Sequence, residues 1–132
     1  MVNKLLLPQE IETFYVIPTL RRYLALNLLQ QGMSQKTIAL ILGVQSAAIS
    51  QYRSTKRGHK VEFDARILDE IKASASRITN HFTYLQETQR LLAVIRQTNT
   101  LCHIHKQFSS VPNDCIPERI GCDRVAKGGC VW

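Results

Sequence analysis

The chain has 132 residues, a formal net charge of +7 and a hydrophobic share of 45%, with aromatics at only 7%; that allows one small aliphatic core, or one domain with an appendage, and excludes a large multi-core protein. No apolar run is long enough to span a bilayer, and Leu5-Leu6-Leu7 stops at Pro8, too short for a signal-peptide core, so a soluble, cytoplasmic protein without a membrane partner is expected. The basic excess favours a phosphate-bearing partner and is concentrated: residues 1–58 hold seven Lys/Arg against two Asp/Glu, residues 59–101 six against five, and residues 102–132 four against three.

Pro18 suits the first turn of a helix, where its missing N–H costs nothing. Leu20, Leu24 and Leu28, with Tyr23 and Leu26, carry a helical apolar face to about Gln31. Gly32 ends it, and Ser34 is a good N-cap for a second helix over residues 35–42, which buries Ile38, Ala39 and Leu42. Gly43 closes that helix. A third starts at Gln45 or Ser46 and runs to about Ser54, with Ile49 and Tyr52 facing inward; Lys56-Arg57-Gly58 is the exit.

A further helical pattern starts at Phe63-Asp64, with Asp64 as the cap. Ile67, Leu68, Ile71, Ala75 and Ile78 form one stripe. Thr79-Asn80-His81 breaks or bends it, and the pattern resumes with Phe82, Leu85, Leu92 and Ile95 to about Thr98. No Gly or Pro stands between Lys60 and Val111, so the helical reading is unobstructed. The stripe is narrow, as in a seam between two subunits; the alternative is that it packs on the chain's own N-terminal domain. From about Leu101 periodicity is lost, and two prolines, three of the six glycines and all four cysteines follow. Such a segment cannot fold on burial alone and needs something to tie it down.

Two short helices joined by a tight glycine turn make a bihelical unit whose second helix can enter a DNA major groove. The unit needs a small residue where the helices cross (Ala39), a residue tolerant of positive φ in the turn (Gly43) and a β-branched anchor on the second helix (Ile49). All three are present, four and six residues apart, in the segment that also carries the charge excess.

The run MSQKTIALILGVQSAAISQYRSTKRG resembles the lambda-repressor-like (Cro/C1, XRE-type) helix-turn-helix domain. The longer stretch IPTLRRYLALNLLQQGMSQKTIALILGVQSAAISQYRSTKRG is similar to a group of mainly archaeal regulators with a Pro-x-x-Arg helix start, an Ala-Ala-x-Ser-Gln-Tyr recognition helix and a Lys-Arg-Gly exit. The likeness covers residues 11–58. It implies that Gln45, Ser46, Ala47, Ser50 and Gln51 form the exposed face of the recognition helix and meet base edges, Gln suiting adenine and Ala a thymine methyl. It implies that Gln35, Lys36 and Thr37 meet phosphates ahead of that helix, and Arg53, Lys56 and Arg57 beyond it. In that group a cysteine- and histidine-rich tail follows.

The tail reads Cys102-x2-His105-x9-Cys115-x6-Cys122-x7-Cys130, four cysteines in 29 residues after none in the first 101. Disulfides suit a secreted protein, whereas a DNA-binding protein works in a reducing compartment. Structural zinc favours a Cys-x2-Cys knuckle, and the nearest approach here is Cys102-x2-His105. An iron–sulfur cluster accepts four thiolates from separated loop positions. Gly121, Gly128 and Gly129 would let backbone N–H groups approach its sulfides, and Arg119, Arg124 and Lys127 would balance its charge. The expected cofactor is therefore an iron–sulfur cluster ([2Fe–2S] or [4Fe–4S]) on Cys102, Cys115, Cys122 and Cys130, with Zn2+ as the alternative and His105 as a second-choice ligand. The archaeal group usually carries further Cys-x2-Cys pairs, one of them upstream, where this chain reads LLAVIRQTNTLCHIH. His59, His81 and His103 are expected to have no metal role.

The expected class is all-α: a DNA-binding domain over residues 1–60, a helical linker or dimerisation segment over 61–100, and an irregular cysteine-rich segment over 101–132. The expected function is a homodimeric transcription regulator that reads a pseudo-palindromic operator in double-stranded DNA, its cluster sensing redox state, oxygen or iron–sulfur status. The alternative is a constitutive DNA-binding factor whose structural zinc site docks a protein partner. No paired carboxylates, nucleophile arrangement or phosphate loop points to an enzyme.

Overall fold

Helical structure starts ten residues before Pro18. In the computed structural model, which describes residues 5–54, 58 and 61–121, every regular element is a helix. Helix α1 (Pro8–Ile11), a π-helical segment (Glu12–Val16) and α2 (Ile17–Gln30) follow one another without a break. Pro18 therefore lies inside a helical run, as the second residue of α2. A proline there lacks the N–H that bonds four residues back, and its ring crowds that carbonyl; widening the helix into π register just before it relieves both.

Local capping chemistry sets the next two helices. Ser34 Oγ accepts from the N–H of Thr37 at 3.1 Å and starts α3 (Gln35–Leu42). Gly43, at φ +68°, ends it, and the N–H of Val44 returns to the carbonyl of Ala39 at 3.0 Å. Helix α4 (Ser46–Arg53) follows at once. Ile38, Ala39, Ile41 and Leu42 of α3 and Ala48, Ile49 and Tyr52 of α4 are buried in the core with Leu20, Leu24 and Leu28 of α2.

The segment after residue 61 is two helices. Asp64 Oδ1 accepts from the N–H of Ile67 at 3.0 Å and caps α5 (Ala65–Arg77). Asn80 Oδ1 accepts from the N–H of Thr83 at 3.0 Å and starts α6 (His81–Gln97), while Thr83 Oγ1 accepts from the N–H groups of Thr79 and Asn80. The two helices form an antiparallel hairpin, stitched by Arg90 to Glu70 (2.7 Å) and by Arg77 to Glu87 (3.0 Å), while Arg90 also pairs with Glu87 within α6 (3.2 Å).

The stripe read as a subunit seam turns inward instead. Ile67, Ile71, Ala75, Ile78, Leu91, Leu92 and Ile95 join the same core as α2, α3 and α4, and α5 packs on α2. The break at Ile78–Asn80 resets the helical phase. α6 thus buries Tyr84, Thr88, Leu91, Leu92 and Ile95, and Phe82 and Leu85 stand outside, 78% and 54% exposed.

The segment from residue 101, expected to be irregular, begins as a helix. Helix α7 (Thr100–Phe108) buries Leu101, Cys102, Ile104 and His105 and packs on α1 and α6; a short α8 (Pro117–Ile120) follows. Several long-range ties hold it. His105 Nε2 bonds the carbonyl of Leu6 at 2.6 Å, and the N–H of Leu6 donates to Ser109 Oγ at 2.8 Å. The rings of Tyr15 and Phe108 stack at 3.9 Å. Nearby, the buried carboxylate of Glu12 takes a bidentate pair from Arg96 at 2.9 and 3.2 Å. The core runs from Ile11 to Ile104, so the segments expected at 1–60, 61–100 and 101–132 share it. Among the described residues no helix is long and apolar enough to cross a membrane.

Candidate nucleic-acid interface

The surface built by α3, its turn and α4 brings most of the expected DNA-facing residues together. One side of α4 is buried through Ala48, Ile49 and Tyr52. The opposite side presents Ser46, Ala47, Ser50 and Arg53, with Gln45 ahead of the first turn, all exposed. Lys36 and Thr37 are exposed on the first turn of α3. Lys56 and Arg57 lie outside the described residues.

Gln51 departs from the expectation. It is half-buried, and its Oε1 is shielded from solvent with no hydrogen-bond partner among the described residues. Of the five residues expected at base edges, Gln45, Ser46, Ala47 and Ser50 are the exposed ones.

Gln35 does more than its position in the chain indicated. It is half-buried, and its Nε2 donates to Ser50 Oγ at 2.7 Å and to the carbonyl of Ser46 at 3.0 Å. Arg53 Nη1 approaches Gln35 Oε1 at 3.5 Å. One amide thus fixes the angle between the start of α3 and the outer face of α4. From behind, Arg22 Nε of α2 donates to the carbonyl of Tyr52 at 3.2 Å and holds the last turn of α4. Only the Pro-x-x-Arg start hinted at a basic pair here. Its Arg21 goes elsewhere, to the hydroxyl of Tyr84 at 3.3 Å.

The chain leaves this surface through Gly58, at φ +68°, where a Cβ would stand 2.6 Å from the carbonyl oxygen of Pro18 and 2.8 Å from Arg22 Cβ. Glycine is required there twice over, for the left-handed backbone and for the close approach to α2.

The expected metal residues are only partly placed. Cys102, on α7, and Cys115 are buried thiols. Cys122 and Cys130 lie outside the described residues. His105 is 3% exposed, and its Nε2 pairs with the carbonyl of Leu6 at 2.6 Å. His81 Nδ1 pairs with the carbonyl of Ile41 at 2.9 Å, joining the start of α6 to α3. Among the described residues no three His, Cys, Asp or Glu side chains come together as a metal site.

Beside the interface, the α5–α6 hairpin carries the perturbed carboxylates. The hydrogen bond from Arg90 holds the Glu70 carboxyl below its ordinary value. For Glu87 burial opposes ionisation, but bonds from Arg77, Ser74 and Arg90 outweigh it and hold that carboxyl low as well. Comparison of the chain with protein-family models, with curated proteins and with solved structures finds no match.

Proposed function

We propose that the chain is a non-enzymatic, cytoplasmic transcriptional regulator that reads double-stranded DNA with α4, in a lambda-repressor-like helix-turn-helix made by α3, the Gly43 turn and α4. The observation that carries this reading is the pairing of two properties on one helix. Gln45, Ser46, Ala47 and Ser50 are exposed and uncharged, while Ala48, Ile49 and Tyr52 anchor the same helix from behind. Base-edge readout needs that pairing: small polar groups on an element that cannot rock. A helix with its side chains is about 10–12 Å across, which the roughly 12 Å major groove admits. Lys36, Thr37 and Arg53, with Lys56 and Arg57, would supply phosphate contacts on either side, and Gln35 would hold its phosphate while bracing α4.

The proposal extends to a cofactor, an iron–sulfur cluster on Cys102, Cys115, Cys122 and Cys130, with zinc on the same thiolates as the alternative. Its support is the crowding of every cysteine into 29 residues and the burial of Cys102 and Cys115, which shields thiolates from water and oxidants. When bound, a cluster supplies an electron couple that reports redox state, whereas zinc makes DNA binding constitutive. Helix α7, which carries Cys102, packs on α6 and α1 and so joins that cysteine to the core behind α4.

The test is selection from a random duplex library, then affinity measured over a range of salt. A recovered site, from which Ser50→Ala loses about 1–3 kcal/mol while Lys36→Ala flattens the salt slope by about one phosphate, supports the reading. No duplex affinity at low salt, or affinity without sequence preference, refutes it. For the cofactor, an anaerobic preparation is analysed for iron, sulfide and zinc. Near-equal iron and sulfide support the cluster, stoichiometric zinc the alternative, and neither element removes the cofactor from the proposal.

A further inference from the structure

The chain ahead of α1 is held to α7 chiefly through its main chain. The N–H of Leu6 donates to Ser109 Oγ at 2.8 Å, and its carbonyl accepts from His105 Nε2 at 2.6 Å and from Ser109 Oγ at 3.3 Å. The side chain of Leu6 is half-buried, whereas Leu5 and Leu7 on either side are 79% and 63% exposed and add little to the hold. With its N–H at Ser109 and its carbonyl at His105, Leu6 sets the direction of travel. The segment runs back along α7 from the Ser109 end toward the first turn, and α1, which starts at Pro8, packs on α7. Cys102 stands on the side of α7 that meets this segment. At about 100° per residue it lies about 20° round the axis from Ser109 and about 60° from His105, but about 160° from Ile104, which belongs to the main core. Leu7 and Pro8 follow Leu6 at the level of Cys102, three residues and about 4.5 Å along the axis from His105.

We infer that residues 5–8 form a strap that gates the Cys102 thiol, which is reached when the strap lifts and not by unfolding of the chain. Cys102 is 5% exposed, and there are two ways to uncover it. The first separates α7 from the body of the protein. It gives up the burial of Leu101 and Ile104 in the main core and the stack of Phe108 on Tyr15. The second lifts the strap. It gives up three hydrogen bonds, whose donors and acceptors all find water once the strap is open, and little apolar burial. Lifting the strap is therefore the cheaper opening, a local one below the global transition. A soft metal ion or an electrophile bound for Cys102 passes the strap first, which makes His105 and Ser109 positioning residues that set the rate of access. The gate rests on these ties to Leu6 and goes beyond the cofactor reading, since it operates whether or not a metal is bound elsewhere in the tail.

The full chain, freed of metal by a chelator and kept reduced, is treated with iodoacetamide, and alkylation of Cys102 is followed by peptide mass spectrometry. The thiolate sulfur forms the new S–C bond as iodide leaves. Cys102 should react slowly, at a rate nearly flat in low urea, because a strap exposes little surface when it lifts. His105→Ala and Ser109→Ala each remove a tie to Leu6 and should raise the rate about tenfold, by more than either lowers global stability in urea melts. His105→Gln, which keeps a donor toward the Leu6 carbonyl, should recover most of the slow rate. His105→Ala should also speed hydrogen exchange at the N–H of Leu6, which it does not touch, since the strap lifts as a unit. A Cys102 rate that follows the global unfolding slope in urea overturns the inference, as does wild-type reaction as fast as in the denatured chain. Rates that the two alanine variants leave unchanged, or raise only in proportion to lost stability, overturn it too, residues 122–132 or the core then being the cover. Local opening in a chain whose native preparation holds neither iron, sulfide nor zinc keeps the gate and removes the cofactor; bound metal with Cys102 reacting along the unfolding slope does the reverse.

Discussion

The buried Glu12–Arg96 pair makes a sharp test of how the two ends of the chain are joined. The Glu12 side chain is 7% exposed and that of Arg96 is 33% exposed, and they meet 84 residues apart through a bidentate contact at 2.9 and 3.2 Å. Arg96→Met removes the guanidinium and leaves a carboxylate in a nearly dry site. Breaking a buried pair from one side costs about 3–5 kcal/mol. Because a third of Arg96 is open to water, solvent can reach part of the vacated space, which places the change near the lower end, about 3 kcal/mol. For a chain of this size that lowers Tm by about 10 °C. Glu12→Leu strands a cation that still reaches water, and costs about 1 kcal/mol. The double variant replaces the pair by two apolar side chains and should return to within about 1 kcal/mol of the parent. Urea melts of all four proteins give the coupling energy directly. If Arg96→Met melts like the parent, or the double variant is as weak as the two single losses added, the pair does not tie the N-terminal helix to α6 as described.

Gly58→Ala should destabilise by about 3 kcal/mol, because the left-handed φ and the overlap with the Pro18 carbonyl act together. Gly43→Ala has the same φ of +68° but nothing within 4 Å of the new Cβ, and should cost only about 1 kcal/mol; equal losses in thermal melts would refute the close approach. Glu87 is held below its ordinary value of 4.5, so it binds protons less readily folded than unfolded. Its contribution is full above 4.5 and is lost as pH falls through the lowered folded value, so Tm should drop on acidification. The drop should be shallower in Glu87→Gln, and parallel pH profiles would count against the Arg77–Glu87–Arg90 network. Gln35→Ala should weaken operator binding about tenfold while moving Tm little, since the lost bonds are near the surface and act by fixing α4. A large fall in Tm instead would make Gln35 a core residue.

The helices of the candidate interface were legible residue by residue because their limits are written in short-range chemistry. Ser34 caps the N–H three residues on, Gly43 relieves the only left-handed turn between α3 and α4, and Asp64 repeats the Ser34 device at α5. The outer face of α4 followed from counting 100° per residue from Ile49. The same count sets Gln51 almost opposite Ile49, so its partial burial is decided by the surrounding fold and not by helical phase. The cross-helix role of Gln35 had no such signal: its partners, Ser46 and Ser50, are set by the angle between two helices.

Sequence alone determined where helices start and stop, because a cap or a glycine acts within one turn and carries its partner beside it. Tertiary structure decided what each apolar face meets. The 67–78 stripe reads equally well as a subunit seam or as core, and only the packing of α5 on α2 settles it. Asn80 was ambiguous between a bend and a break until its cap on Thr83 started α6 and turned Phe82 and Leu85 outward. Likewise, nothing local announces that residues 100–108 form a helix, since its ties run from His105 to Leu6, from Phe108 to Tyr15 and from Ser109 to Leu6. Contacts across nearly a hundred residues leave no period in the chain; they exist only once loop closure has been offset by the core those residues share.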